Sequence, residues 1–100
     1  MSSPASRRRQ RQRRRAREKL WAIQTVLTDR QAVLVAYDRV IDDMNKHYKD
    51  RKLALFSGGQ AIALITGLRD ATQTECAKLK GDVRAQELAC KQLEPASVSA

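Results

Sequence analysis

Residues 20–48, LWAIQTVLTDRQAVLVAYDRVIDDMNKHY, repeat their apolar side chains with a period of seven. The first column of the repeat contains Leu20, Leu27, Leu34, Ile41 and Tyr48, the second contains Ile23, Arg30, Tyr37 and Met44, and the third contains Val26, Val33 and Val40. Three columns in seven make a face wider than a two-stranded zipper seam. The pattern therefore predicts an α-helix that packs in a hairpin or a bundle.

A second apolar stripe follows a glycine pair. Gly58 and Gly59 can end a helix, so we expect a turn at 57–59 between a helix over about 16–56 and another over about 60–93, before Pro95. The second stripe contains Ile62, Ile65, Thr72, Cys76, Leu79, Val83, Cys90 and Leu93. A short connection between two long helices predicts an all-α antiparallel hairpin over residues 20–94.

The predicted hairpin is too thin to be stable alone. Two helices seldom exclude enough water, so we expect the hairpin to dimerise into a helical bundle or to pack on a helical protein partner. The residues expected in this core are Leu20, Ile23, Leu27, Leu34, Tyr37, Ile41, Met44, Ile65, Leu79 and Val83.

The stretch before the hairpin is strongly basic. Residues 7–17, RRRQRQRRRAR, contain eight arginines and no acid, and residues 1–19 carry a formal charge of +8 out of a total of +9. Mutual repulsion and the positive end of the helix dipole oppose helix formation there. We therefore expect residues 1–19 to be a disordered or conditionally helical arm that an anion orders, and residues 95–100 to be a disordered tail.

Such an arm predicts a polyanionic partner. Arginine binds phosphates bidentately and stacks on bases, and a narrow helix fits the widened groove of a bulged or looped RNA, so RNA is favoured over DNA. Trp21, at the junction, can stack on a base or pack at the end of the bundle. The candidate binding residues are Arg7, Arg8, Arg9, Arg11, Arg13, Arg14, Arg15, Arg17, Lys19 and Trp21.

Residues 5–21 resemble a known motif. The segment ASRRRQR at 5–11, followed by AREKLW at 16–21, is similar to the arginine-rich RNA-binding motif of the N antitermination proteins of lambdoid phages. The resemblance implies a helix on a hairpin RNA, with the arginines on the RNA and Trp21 on its loop. Lentiviral Rev proteins have a similar arginine-dense helix beside oligomerising helices. The chain differs from the phage family by an inserted Gln-Arg pair and by the packed helices that follow.

Other interpretations remain open. The arm could serve only as a nuclear or nucleolar address on a helical scaffold subunit, or as the basic region of a zipper-like DNA-binding dimer. A second basic cluster, formed by Lys46, Lys49, Arg51 and Lys52, lies near the predicted turn. In a dimer of antiparallel hairpins it could join the partner's arm along duplex RNA, an architecture like that of small viral silencing suppressors.

The sequence does not predict catalysis. It contains no nucleophile elbow, phosphate-binding glycine loop or HExxH motif, so we expect no enzyme, no cofactor and no small-molecule substrate. Cys76 and Cys90 lie about 21 Å apart along one helix, too far for a disulfide within it, and with the lone His47 they supply too few ligands for a metal. No apolar run is long enough to span a bilayer. We expect an intracellular protein with no membrane partner, nuclear or nucleolar in a eukaryotic cell and otherwise cytoplasmic.

Overall fold

The protein is an all-α helical hairpin, as predicted. The structure, a computed structural model, describes residues 3–49 and 55–94 and contains two helices, α1 (Pro4–Lys49) and α2 (Leu55–Gln92). The helices lie antiparallel in a rod with extents of 74 × 26 × 15 Å.

Two interhelical contacts fix the register of the hairpin. In the half of the hairpin nearer the connection between the helices, Arg69 Nε donates to Asp38 Oδ1 at 2.8 Å. In the half nearer the start of α1, Gln86 Nε2 donates to the Ala16 carbonyl at 3.0 Å. The two contacts join residues whose numbers add to nearly the same value, as antiparallel pairing requires. The carboxyl end of α2 therefore lies beside the arginine run of α1.

Both helices present a strict heptad seam to each other. Every one of the ten predicted core residues lies in this seam, and all ten are half-buried. Among the described residues only Cys76 and Thr72 are buried, with 4% and 7% of their surface exposed. The two helices thus leave their apolar seam only half covered.

Helix α1 begins twelve residues before the predicted start. Pro4 occupies the first turn, where its missing N–H costs nothing, and Ser3 caps the helix by accepting from Ser6 N at 3.1 Å through Oγ. The arginine run is therefore continuous with the hairpin helix. Arginine's own helix propensity and the contact of Ala16 with α2 favour this extension.

The connection between the helices also differs from the prediction. Ser57, Gly58 and Gly59 lie within α2, which begins at Leu55 instead of about residue 60 and ends at Gln92. Helix α1 ends at Lys49 instead of about residue 56, so the helices are linked through residues outside the described ranges. A glycine costs only about 1 kcal/mol in a helix interior, which interhelical packing can offset. The predicted tail at 95–100 also lies outside the described residues.

The two cysteines pack in the seam. Cys76 is buried, Cys90 is half-buried, and both are free thiols. After Cys90 the hydrogen bonds run to the residue three positions earlier, as in a 3-10 turn. Leu93 N donates to the Cys90 carbonyl at 3.1 Å and Glu94 N donates to the Lys91 carbonyl at 3.2 Å, which satisfies carbonyls at the end of α2.

Candidate nucleic-acid interface

The helical geometry of α1 sorts the arginines by direction. The heptad seam continues from Leu20 to Ala16 and Arg13, which are half-buried beside α2. Five arginines occupy the opposite, outward side of α1. These outward arginines are Arg7, Arg8, Arg11, Arg14 and Arg15, and all are exposed. The run is therefore a charged ridge along a helix that α2 supports from behind.

No ion pair among residues 3–49 and 55–94 neutralises the charge of this ridge. The ion pairs among the described residues use Arg30, His47 and Arg69, and none of them uses an arginine between positions 7 and 17. The first turn of α1 contains no acidic residue either. The positive end of the helix dipole thus adds to the field of the arginines, and both attract an anion.

Trp21 lies in line with two of the outward arginines. It follows Arg14 by seven residues and Arg7 by fourteen, so the three side chains recur about every 10.5 Å along one side of α1. Its side chain is 69% exposed. Packing at the end of a bundle, one of the two roles predicted for Trp21, does not occur within the single chain. The indole face is open to a stacking partner.

Arg13 and Arg17 have a different environment from the outward arginines. Together with Leu20 they face the end of α2 across a groove of about 570 Å³, whose other side is lined by Glu87, Cys90, Lys91 and Glu94. Two carboxylates near these two arginines lower the local positive potential. We therefore expect Arg13 and Arg17 to contribute less to binding a polyanion than the outward arginines.

Lys19 lies on the other side of the seam. It lines a smaller groove, of about 330 Å³, with Ile23, Asp82, Ala85 and Gln86. Arg9, the remaining candidate, is exposed near the start of α1. The ten candidate residues thus share one end of the hairpin, but they point to several sides of it.

Three basic residues of α2 join this end and were not among the predicted site residues. Lys80, Arg84 and Lys91 are exposed, and the antiparallel register brings them level with residues 11–24 of α1. By heptad position they lie on the same side of the hairpin as Arg17 and Trp21. These residues can be identified only from the register of the hairpin, because they are scattered in the sequence and form no run of charge.

The second predicted basic patch lies at the opposite end of the chain. Lys46 is exposed, Lys49 is the last residue of α1, and Arg51 and Lys52 lie outside the described residues. Lys46 is about 43 Å from Arg17 along the helix axis. A single hairpin therefore does not bring the two basic clusters together.

The rest of the described chain adds no second type of site. No cluster of three or more His, Cys, Asp or Glu side chains suited to a metal ion occurs within residues 3–49 and 55–94. Neither of the two described helices has a stretch long and apolar enough to cross a membrane. Comparison of the sequence with family models and curated proteins, and of the fold with solved structures, finds no match.

Proposed function

We propose that the protein is a non-enzymatic RNA-binding accessory protein whose binding element is the arginine-bearing start of α1. One observation carries the proposal: the outward arginines and Trp21 form an exposed ridge that no acidic side chain in the described part of the chain neutralises. Arginine supplies bidentate contacts to phosphates, and an exposed indole supplies a stacking platform. The ridge is rigid because it belongs to a 46-residue helix.

The shape of the hairpin limits how it meets a nucleic acid. Because Gln86 contacts Ala16, α2 flanks α1 down to about residue 10, and the residues before it project by roughly 9 Å as a single helix. A single helix, about 10–12 Å wide, fits a major groove, whereas a hairpin 26 Å across does not. Arg7, Arg8 and Arg9 would enter the groove, and the later arginines would contact phosphates at its rim.

This geometry favours irregular RNA over a regular duplex. The major groove of regular A-form RNA is deep and narrow, and it opens at bulges and loops, where unpaired bases are also available for Trp21. The resemblance to the phage and lentiviral motifs agrees with such a target and extends the proposal to a viral or phage-encoded regulator. In this role the hairpin is the part that self-associates or binds a protein partner.

Two alternatives use the same residues differently. In the first, the arginine run is only a nuclear or nucleolar address, and the hairpin acts as a scaffold. In the second, α1 is the basic helix of a DNA-binding zipper. In a zipper, the seam of α1 would pack against α1 of a second chain. Here α2 of the same chain packs on that seam, which counts against the zipper alternative.

A competition binding experiment tests the proposal. Purified, nuclease-treated protein is titrated onto a bulged hairpin RNA, regular duplex RNA, duplex DNA and heparin, at several salt concentrations. The test variant is Arg7→Gln, Arg8→Gln and Arg11→Gln combined. The control removes two exposed cations that belong to neither basic cluster: Arg39→Gln and Lys78→Gln.

The proposal expects preference for the bulged RNA that persists at high salt. It also expects the test variant, but not the control, to lower the slope of log affinity against log salt by about 2–3, since each lost phosphate contact lowers it by about 0.7–0.9. Equal binding to all four polyanions would support the address alternative. A preference for duplex DNA would support the zipper. An equal loss in both variants would mean that only net charge matters.

A further inference from the structure

One long face of the hairpin is apolar and unpartnered. Antiparallel packing places the third heptad column of α1 beside two columns of α2, on one side of the seam. The large apolar side chains of this valine–leucine face are Val26, Val33, Val40, Leu64 and Leu68, and the same two columns of α2 also contain Glu75 and Lys78. Val40 and Leu68 are each 44% exposed, and Leu64 is 66% exposed. The opposite side of the same stretch carries polar residues such as Gln31, Asp38 and Gln73.

From this face we infer that a second copy of the chain docks antiparallel to the first, across a twofold axis midway between Val33 and Val40, forming a four-helix bundle with the arginine runs at opposite ends. Across this axis, Val33 of each copy would meet Val40 of the other copy. The inference does not depend on nucleic-acid binding, because the arginine run takes no part in the face.

The exposed area of the chain is large enough for a partner of this size. The hairpin exposes 8139 Å², whereas a compact monomer of 11.3 kDa would expose about 5,700 Å². The difference, about 2,400 Å², exceeds the roughly 800 Å² that each partner buries in a standard interface. A second hairpin docked antiparallel about this axis overlaps the first along about residues 24–49 of α1, so it covers the valine–leucine face and leaves the two arginine runs free.

Charge complementarity selects a second copy and its direction. Residues 20–100 carry a formal charge of only +1, so two hairpins do not repel each other, whereas two arginine runs side by side would. Antiparallel docking keeps the centres of the two runs about 74 Å apart along the bundle, many screening lengths at ordinary salt. Arg30 and Asp43 are equidistant from the proposed axis, so each Arg30 would meet the other copy's Asp43.

One hydrogen-bond donor of Arg30 has no acceptor among the described residues. Its Nε is buried without a hydrogen-bond partner, and the nearest described carboxylate oxygens, on Glu75 and Asp29, are 3.7 Å from its guanidinium nitrogens. The hairpin itself encloses Nε, but the Arg30 side chain as a whole is 41% exposed, so another chain's carboxylate can reach the exposed part of the guanidinium and stabilise it. Asp43 of the second copy lies at the level where that carboxylate is needed.

Sedimentation equilibrium of the full-length chain, without nucleic acid and at high salt, tests the docking. We expect a dimer at micromolar concentration that Val40→Glu with Leu68→Glu converts to a monomer. The matched control is Val35→Glu with Leu88→Glu, which places the same charges at side chains that are 50% and 58% exposed on other sides of the hairpin. The control should remain a dimer.

Cysteine cross-linking tests the direction, and it does so even if the glutamate variant unfolds. Ala22, Ala32 and Ala36 are exposed, and Ala22 and Ala36 share one heptad column two repeats apart. Antiparallel docking predicts that Ala36→Cys forms an intermolecular disulfide much faster than Ala22→Cys or the outward Ala32→Cys. A monomeric wild type at 100 µM, a dimer that survives Val40→Glu with Leu68→Glu, or equal cross-linking at 22 and 36 would each overturn the inference.

Discussion

Arg69 of α2 and Asp38 of α1 form the shortest ion pair between the two helices, with Nε 2.8 Å from Oδ1. Arg69 occupies a seam position where the heptad pattern would accept a leucine. Its guanidinium also donates to Gln73 Oε1 at 2.6 Å and to Asp70 Oδ1 at 3.2 Å. The hydrogen bond to Asp38 and then that to Asp70 raise the pKa of Arg69 above its ordinary value, so the residue stays charged.

This pair should fix the register of the hairpin. A slip of the helices by one heptad would leave Arg69 in the seam without Asp38. Asp38→Arg places two cations together and should lower the midpoint of thermal unfolding by several degrees. The double variant Asp38→Arg with Arg69→Asp should recover most of that loss. Circular dichroism melting of the three proteins is the measurement, and no recovery in the double variant would show that the pair does not act by charge.

The pH dependence of this pair follows from the direction of the shift. A cation whose pKa is raised in the folded state contributes stability that is complete below its unfolded value and is lost only as pH rises through the folded value. For Arg69 both values lie above the range in which proteins are handled. From pH 7 to pH 10 we therefore expect Arg69→Gln to lower the melting temperature by the same amount at every pH. A decrease that shrinks with rising pH would contradict this assignment.

Neighbouring arginines should differ in their effect on RNA binding. Arg14 points outward, whereas Arg13 is half-buried in the groove that contains Glu87 and Glu94. Arg14→Ala should lower the salt slope of binding by about 1, the effect of one phosphate contact, and Arg13→Ala should lower it less. Fluorescence anisotropy of a labelled RNA at four salt concentrations measures both slopes. Equal slopes would mean that the arginines do not bind in the helical arrangement seen here.

The hairpin itself could be predicted because its apolar periodicity is long. Four heptads from Leu20 to Tyr48 leave one helical face to bury, and the stripe from Ile62 to Leu93 supplies a complementary one. The ten predicted core residues lie in the seam for this reason. The limits of the helices were less predictable, because the penalty for Gly58 and Gly59 and the repulsion among arginines are each small beside the packing of a long seam.

What the pattern could not predict was the polar content of the seam. Arg69 and Gln86 occupy heptad positions that the apolar stripe skips, and their partners, Asp38 and Ala16, are known only once the register is known. The same holds for the basic residues of α2 that lie level with the arginine run. Residues 31 to 70 positions apart in the chain meet through the fold and not through any local signal.

Trp21 should contribute to binding and not to folding. It is 69% exposed, so Trp21→Ala should change stability by less than about 0.5 kcal/mol. Loss of one stacked base costs about 1–3 kcal/mol, or roughly 5- to 150-fold in RNA affinity. Trp21→Phe should restore most of the affinity because it keeps an aromatic face. Since Trp21 is the only tryptophan, its fluorescence in the wild type reports binding directly. Unchanged fluorescence and affinity would remove Trp21 from the interface.

Two glycines in α2 should limit the stability of the hairpin. Gly67 and Gly81 lie within the helix, and a Cβ added at either position would meet no other atom within 4 Å. Each Gly→Ala change should therefore stabilise the protein by about 1 kcal/mol, because alanine loses less backbone entropy on folding. This corresponds to a rise of roughly 4–8 °C in melting temperature for a protein of this size.

The reverse substitution provides the control for the glycine effect. Ala77 is exposed in the same helix, so Ala77→Gly should lower the melting temperature by a similar amount. The combined Gly67→Ala and Gly81→Ala variant should show nearly additive stabilisation, because the two sites are about 21 Å apart along α2. RNA affinity should stay unchanged, since neither glycine lies on the arginine ridge. A destabilised Gly81→Ala protein would mean that another chain approaches the backbone there, and cross-linking from that position would then identify it.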